Sequence, residues 1–160
     1  GLKNLAEIYK GVSEEEINEK SKKIVKEKLK ENAKEIVKKI RERGYLIVNY
    51  TSDLININNA LQKELGLDDV CGNVLEFENG VATGKLKEKV DRYDRVEKIK
   101  EFMQKNNLSK DDVYIVGESI TAVPSAELGK IIALNSEDEQ LNNIARYKIS
   151  NLSELLEILN

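Results

Sequence analysis

The chain has 160 residues, 40% of them hydrophobic and 34% charged, which is enough for a domain-sized core. A net charge of −3 provides no global basic field for nucleic acid, and the lack of histidine excludes His-based triads, metal ligands and general bases. No apolar run approaches the roughly 18 residues of a membrane span. The single cysteine, Cys71, fits a buried small hydrophobe in a reducing cytoplasm. Richness in Lys, Glu and Ile resembles a thermophile's composition.

The first part of the chain is predicted to be helical and strongly charged. Apolar spacing predicts a short helix over residues 2–9. A capping box at Ser13 then begins one amphipathic helix, straight or bent, over residues 14–43. We expect residues 1–43 to form a helical, cap-like segment ahead of an α/β core at residues 44–160.

A strand, a helix and a hairpin are predicted next. Residues 45–50 are apolar almost throughout, which favours a parallel strand covered on both faces. Residues 51–53 (Thr-Ser-Asp) are typical caps of a following helix. Asn-Gly at 79–80, between strand-like runs at 73–77 and 81–86, predicts a β-hairpin.

The second half of the chain alternates helices and strands. The predicted strands are 113–116, 130–134 and 146–149. One helix is predicted over 93–105 and a short one around Pro124. Two more helices are predicted to begin at a capping box at Ser136 and at a cap at Asn151. This alternation predicts an α/β fold, a Rossmann-like three-layer sandwich with a mainly parallel sheet, an N-terminal helical segment and a β-hairpin.

Three segments carry a resemblance to a known family: RERGYLIVNYTSD, LQKELGLDDVCGNVLEFENGVATGKL and YDRVEKIKEFMQKNNLSKDDVYIVGES. Their order resembles the haloacid dehalogenase (HAD) superfamily, closest to its phosphoserine phosphatase-like branch. The resemblance runs from Gly44 to Asn160.

The resemblance implies phosphoryl-transfer chemistry. In that family an aspartate of a DxDx[TV] motif is the nucleophile, a Ser or Thr binds phosphoryl oxygens, a Lys neutralises charge and paired acids hold Mg²⁺. It implies Thr51, with its neighbour Ser52, as a phosphate-binding candidate. Arg95 falls in the place of the Lys, and Glu118 in the place of the first metal-binding acid.

Each of these residues also has an ordinary interpretation. Thr51 fits a helix cap as well as an oxyanion binder, and one residue can do both. Arg95 fits a solvated helix charge. Ala122 or Val123 occupies the place of the second acid, and because Glu118 alone would bind Mg²⁺ poorly, no bound metal is expected.

The DxDx[TV] motif does not occur in the sequence. In the family fold its strand lies centrally in the sheet, and its loss would leave unpaired edges. Three outcomes are open: strand 45–50 pairs directly with strand 113–116, another chain donates a strand, or the missing segment belongs to the native protein. We favour direct pairing.

Three functions remain open. The favoured one is a degenerate HAD-like domain, a pseudoenzyme in this chain, with a phosphate-binding, ligand-binding or structural role. One alternative is a Mg²⁺-dependent phosphomonoester hydrolase whose catalytic Asp strand lies outside this sequence. The other is a homo-oligomeric interaction module. The partners expected are a small phosphorylated ligand and a second copy of the chain, without nucleic acid or membrane.

Overall fold

The computed structural model describes the backbone of residues 2–160 and the side chains of residues 5–160. It comprises two compact units, Gly1–Asp91 and Arg92–Asn160. The strand pairings are parallel except in one hairpin, and helices alternate with strands. The predicted α/β, Rossmann-like fold class is therefore confirmed.

The first unit combines helices with a small mixed sheet. Its elements are α1 (Leu2–Ile8), α2 (Glu14–Lys28), α3 (Glu31–Glu42), β1 (Val48–Leu54), α4 (Ile55–Leu65), β2 (Asp69–Glu78) and β3 (Val81–Glu88). The strand order is β1-β2-β3, with β1 parallel and β3 antiparallel to β2. Both α2 and α3 pack against α4. The first compact unit ends at Asp91. The expected division into a cap-like segment over 1–43 and an α/β core over 44–160 stays a prediction.

The segment predicted as one helix over 14–43 forms two helices. Leu29 and Lys30 have extended backbone and separate α2 from α3. Neither glycine nor proline marks this break. Each helix buries its own apolar stripe, and packing against α4 explains a break that the local sequence does not signal.

The first strand is displaced from its predicted position. It covers Val48–Leu54 instead of 45–50, and α4 begins only at Ile55. Leu54 is the N-cap residue, so the interpretation of residues 51–53 as helix caps is wrong. The register explains the difference: Tyr50 faces Cys71 and Leu54 faces Asn73, which makes residues 51–53 a bulge in β1.

The predicted hairpin is confirmed. Glu78 pairs with Val81, and the two turn residues between them, Asn79 and Gly80, have φ of 54° and 78°. Two consecutive residues with positive φ match the right-handed twist of the flanking strands, which is why Asn-Gly is favoured there.

A small apolar core holds the first unit together. Its fully covered members come from α1, α2 and all three strands of the unit: Ala6, Ile17, Leu54, Leu75 and Ala82. Leu75, on the central strand β2, is 1% exposed.

The second unit is built on a parallel sheet. Its elements are α5 (Arg92–Lys105), β4 (Tyr114–Gly117), a 3₁₀ helix (Ile120–Ser125), β5 (Lys130–Leu134), α6 (Glu139–Ile144), β6 (Tyr147–Ile149) and α7 (Leu155–Ile158). Short 3₁₀ turns at Lys110–Asp112 and Leu152–Glu154 precede β4 and α7. The order is β4-β5-β6, and Ile131, Ala133 and Leu141 form a buried core.

The two predicted caps of this unit have different outcomes. Asn151 caps the turn at Leu152–Glu154, as predicted. The capping box at Ser136 is wrong, because α6 begins later and Asp138 is its N-cap, accepting from Leu141 N at 2.8 Å. Ser136 Oγ instead accepts from Asp138 N at 3.1 Å.

Direct pairing of the strand at 45–50 with the strand at 113–116 is also wrong. β1 pairs with β2 in one sheet, and β4 pairs with β5 in the other. Because each belongs to the sheet of its own unit, each has one strand neighbour among the residues that the structure describes. Within the same residues no helix is long and apolar enough to cross a membrane.

Replacing Leu75 by Ala should destabilise the first unit by about 2–5 kcal/mol, since it opens a cavity in a covered core. Urea denaturation followed by circular dichroism measures this change. Ile8, which is 73% exposed on α1, is the matched control. Ile8→Ala should change the free energy of unfolding by less than about 0.5 kcal/mol. Equal effects of the two substitutions would contradict this packing.

Candidate functional site

The candidate site lies at the carboxyl end of β1, where parallel strands commonly present ligand-binding groups. The bulge places three residues, Thr51, Ser52 and Asp53, opposite the single residue Gly72 of β2. Thr51 and Ser52 are half-buried, and Asp53 is exposed. Such a bulge interrupts the sheet's own hydrogen bonding and redirects the side chains it carries.

A buried asparagine on α4 holds the first part of this bulge. Asn58 is 1% exposed. Its Nδ2 donates to Thr51 Oγ1 and to the carbonyl of Cys71, both at 2.8 Å. Its Oδ1 accepts from Asn49 Nδ2 at 3.2 Å. The Asn58 carboxamide thus links β1 with β2.

A second buried asparagine holds the next residue of the bulge. Asn73, on β2, is 0% exposed. Its Nδ2 donates to the carbonyl of Ser52 at 2.5 Å, and its Oδ1 accepts from Val90 N at 2.6 Å. A backbone carbonyl that the bulge removes from the ladder therefore gains a side-chain partner.

Gly72 lets the bulge and α4 approach β2 closely. A Cβ on this residue would lie 2.6 Å from the Asp53 carbonyl oxygen and 2.8 Å from Asn58 Nδ2. Both distances are too short for any real side chain. Glycine at this position is therefore a steric requirement of the site.

Sequence reasoning did not identify Asn58 or Asn73. One signal was available, because Leu54, Asn58, Leu61 and Leu65 follow the spacing of a buried helix face. A polar residue on such a face needs buried partners. Asn73 lies within a strand and has no comparable signal.

Arg95 belongs to the second unit, near the start of α5. Its side chain is half-buried, and Nη2 donates to the carbonyl of Thr121 at 3.1 Å. Thr121 lies in the 3₁₀ helix that follows β4. The interpretation of Arg95 as a solvated helix charge does not fit this contact.

Glu118 follows β4 directly, and its side chain is exposed. Ala122 packs closely against Gly117, the residue before Glu118. A Cβ on Gly117 would lie 2.4 Å from the Ala122 Cβ. Throughout the described part of the chain, no group of three or more His, Cys, Asp or Glu residues could hold a metal ion. Mg²⁺ is usually bound by one or two carboxylates together with waters and substrate phosphates, so Glu118 would supply a single ligand.

One acid near β4 has a shifted titration. Asp112, in the turn before this strand, accepts from Ser109 N at 2.8 Å and from Ser109 Oγ at 3.0 Å. These hydrogen bonds hold the pKa of the Asp112 carboxyl below its usual range. Asp112 thereby stabilises the turn that leads into β4.

The predicted site residues are thus divided between the units. Thr51 and Ser52 lie together at the end of β1, while Arg95 and Glu118 lie in the second unit. Cys71 is buried in β2, as its predicted role as a small hydrophobe requires.

Comparison with known proteins defines the class to which this architecture belongs. Residues 2–127 match the model of the haloacid dehalogenase-like hydrolase family. The chain belongs to this family.

Its relatives place it in the phosphoserine phosphatase-like branch of that family. The chain is 32% identical over 126 residues to a phosphoserine phosphatase of Archaeoglobus fulgidus. The match covers 75% of this chain and 36% of the relative, so the chain spans about a third of the relative's length.

Solved structures support the same fold. A phospho-aspartyl intermediate analogue of phosphoserine phosphatase superposes with a TM-score of 0.82 at 22% identity, covering 99% of this chain and 76% of the other. A phosphoserine phosphatase in apo form gives a TM-score of 0.83 at 22% identity, covering 99% and 80%.

Replacing Gly72 by Ala should disturb the bulge, because the added methyl overlaps the backbone carbonyl of Asp53 as well as Asn58 Nδ2. We expect a loss of about 1–3 kcal/mol in the free energy of unfolding. The amide NMR signals of residues 51–53 should also shift.

Gly66→Ala is the matched control. Gly66 has a φ of 69° and nothing within 4 Å of its Cβ position, so Ala there is strained without a clash. It should cost about 1–2 kcal/mol and leave the signals of residues 51–53 in place. Unchanged signals in Gly72→Ala would contradict the close approach.

Proposed function

We propose that this chain binds the phosphate group of a small phosphorylated molecule at the end of β1, without transferring the phosphoryl group itself. The proposal rests on the hydrogen bonds that the Thr51 hydroxyl accepts. Its oxygen accepts from Asn58 Nδ2 at 2.8 Å and from Asp53 N at 3.1 Å. Since a hydroxyl has two acceptor positions and one proton, its proton remains for a ligand oxygen.

Ser52 extends this proposal, because it adds a second hydroxyl beside Thr51 on the bulge. Arg95 lies in the second unit and is a separate phosphate-binding candidate. Its guanidinium is planar, permanently charged and of the kind that binds phosphate oxygens in pairs.

The proposal of no phosphatase activity is supported by the chemistry of the side chains. The DxDx[TV] motif, which would provide a carboxylate nucleophile, does not occur in the sequence. Ala122 provides no metal ligand, and Glu118 is a single acid. Phosphoryl transfer depends mainly on charge stabilisation and positioning, so these substitutions affect its central requirements.

Phosphoserine is the first ligand to test, because the relatives described above are phosphoserine phosphatases by name. Titration of the labelled chain with O-phospho-L-serine and Mg²⁺ should shift the amide signals of residues 51–53. ³¹P NMR should show no inorganic phosphate above a buffer blank.

Thr51→Val, which keeps the shape of the side chain and removes the hydroxyl, is the decisive variant. A hydrogen bond to a charged group contributes about 1.5–3 kcal/mol, so we expect affinity to fall at least roughly tenfold. Thr51→Ser should retain binding. Steady phosphate release by the unmodified chain, or equal binding by Thr51→Val, would overturn the proposal.

A second candidate function follows from the coverage of the relatives. Since the chain spans 36% of the Archaeoglobus protein, a Mg²⁺-dependent phosphomonoester hydrolase with its catalytic Asp outside this sequence is the alternative. It predicts an in-frame strand with a DxDx[TV] motif upstream in the gene. Reading the gene decides this, and a gene without such a strand would eliminate the alternative.

A further inference from the structure

We infer that Asn58 is a positioning residue that directs the Thr51 hydroxyl proton out of the protein, so that the site accepts oxyanions and rejects hydrogen-bond donors. This inference deepens the proposed function and rests on it for the identity of the ligand. The direction of the hydroxyl itself follows from the contacts of Asn58 alone.

The orientation of the Asn58 carboxamide is determined by the backbone. The carbonyl of Cys71 can only accept a hydrogen bond, so the side-chain atom 2.8 Å away must be the nitrogen. Asn49 Nδ2, at 3.2 Å, faces the carboxamide oxygen and is consistent with this assignment. An inverted carboxamide would place two oxygens against each other in a buried position.

The carboxamide orientation then determines the role of Thr51. Nδ2 has two hydrogens, of which one goes to Cys71 O and the other to Thr51 Oγ1. Asp53 N occupies the second acceptor position of the same oxygen at 3.1 Å. Within the described residues the structure provides no acceptor for the Thr51 proton. Thr51 therefore presents a donor to the exterior.

The site consequently has a defined chemical preference. An outward donor held by buried groups binds phosphate or carboxylate oxygens and offers nothing to an ammonium group or another donor. Because Thr51 is half-buried and its partner Asn58 is 1% exposed, the hydroxyl cannot reverse without leaving a buried N–H unpaired. The carboxylate of Asp53 is exposed, where solvent screens it.

Asn58→Asp tests this inference because it should reverse the hydroxyl. An ionised carboxylate at this position accepts from Thr51. A neutral carboxyl group there must give its proton to the Cys71 carbonyl, which can only accept, and the same oxygen, which takes the place of Nδ2, still accepts from Thr51. In both protonation states of the variant the Thr51 proton turns inward.

The first measurement needs no ligand. In the unmodified chain the Thr51 hydroxyl proton should exchange with water too fast to be seen by NMR. In Asn58→Asp it should become an observable, slowly exchanging signal correlated with the Thr51 side chain. A protected Thr51 hydroxyl in the unmodified chain, or a fast-exchanging one in folded Asn58→Asp, would overturn the inference whatever the chain binds.

The second measurement is the affinity for O-phospho-L-serine. We expect Asn58→Asp to weaken binding at least tenfold, about as much as Thr51→Val, since a hydrogen bond to the phosphate is lost. Asn58→Leu removes the orienting donor without reversing the hydroxyl and should weaken binding roughly threefold to tenfold. This variant keeps the test open if Asn58→Asp does not fold.

Ile36→Ala controls for a general loss of stability. Ile36 is 5% exposed on α3, whereas the residues that hold the bulge lie on α4 and β2. It should lower stability and leave the affinity unchanged. If affinity follows stability across Asn58→Leu and Ile36→Ala, Asn58 is merely structural and the inference fails. If the unmodified chain does not bind while its hydroxyl behaves as expected, the proposed function fails and the inference about Asn58 stands.

Discussion

The carboxamide of Asn58 is the contact on which the shape of the candidate site depends. Three residues of β1 stand opposite one residue of β2, so the ladder cannot provide partners for all their polar groups. Two buried asparagines provide these partners. Asn58 donates to Thr51 Oγ1, and Asn73 donates to the Ser52 carbonyl. Because an unpaired buried polar group is costly, each asparagine fixes the backbone it serves.

The same constraint explains the glycine beside them. A polar side chain can cross from α4 to β2 only if the strand leaves space, and Gly72 provides it. The bulge, Gly72 and the two asparagines therefore depend on one another. As a result, both acceptor positions of the Thr51 hydroxyl are occupied by protein N–H groups.

Features that depend on local backbone chemistry could be predicted from the sequence. Asn79 and Gly80 adopt the positive φ values that their turn requires, and Gly66 ends α4 in the left-handed conformation. Features decided by packing could not be predicted. Residues 51–53 resemble helix caps, but the register of β1 against β2 keeps them in the strand, and α2 ends at Lys28 without a local signal.

The candidate site was predicted only in part for the same reason. Thr51 and Ser52 were found from the resemblance of their surroundings to a phosphatase family. Asn58 was missed, although its position among Leu54, Leu61 and Leu65 places a polar side chain on a buried face. Which groups it satisfies depends on Cys71 and Asn49, and their proximity is set by the fold.

The chain has the fold of the haloacid dehalogenase-like hydrolase family, and the proposal of binding without phosphoryl transfer depends on its side chains near β1 and β4. Arg95 contacts the turn after β4, Ala122 packs within that turn, and Glu118 is exposed beside it. Under this proposal Ala122 supplies no carboxylate beside Glu118, while the Thr51 hydroxyl supplies a hydrogen-bond donor for an oxyanion. We therefore propose recognition of an oxyanion by Thr51 as the function of this combination.

A crystal structure of the chain grown with tungstate, a heavy analogue of phosphate, tests this account most directly. We predict an anion with one oxygen roughly 2.6–3.0 Å from Thr51 Oγ1, while Asn58 keeps its bonds to Thr51 and Cys71. Tungstate bound elsewhere with Thr51 unoccupied, or a Thr51 hydroxyl turned to donate to a protein oxygen, would contradict it.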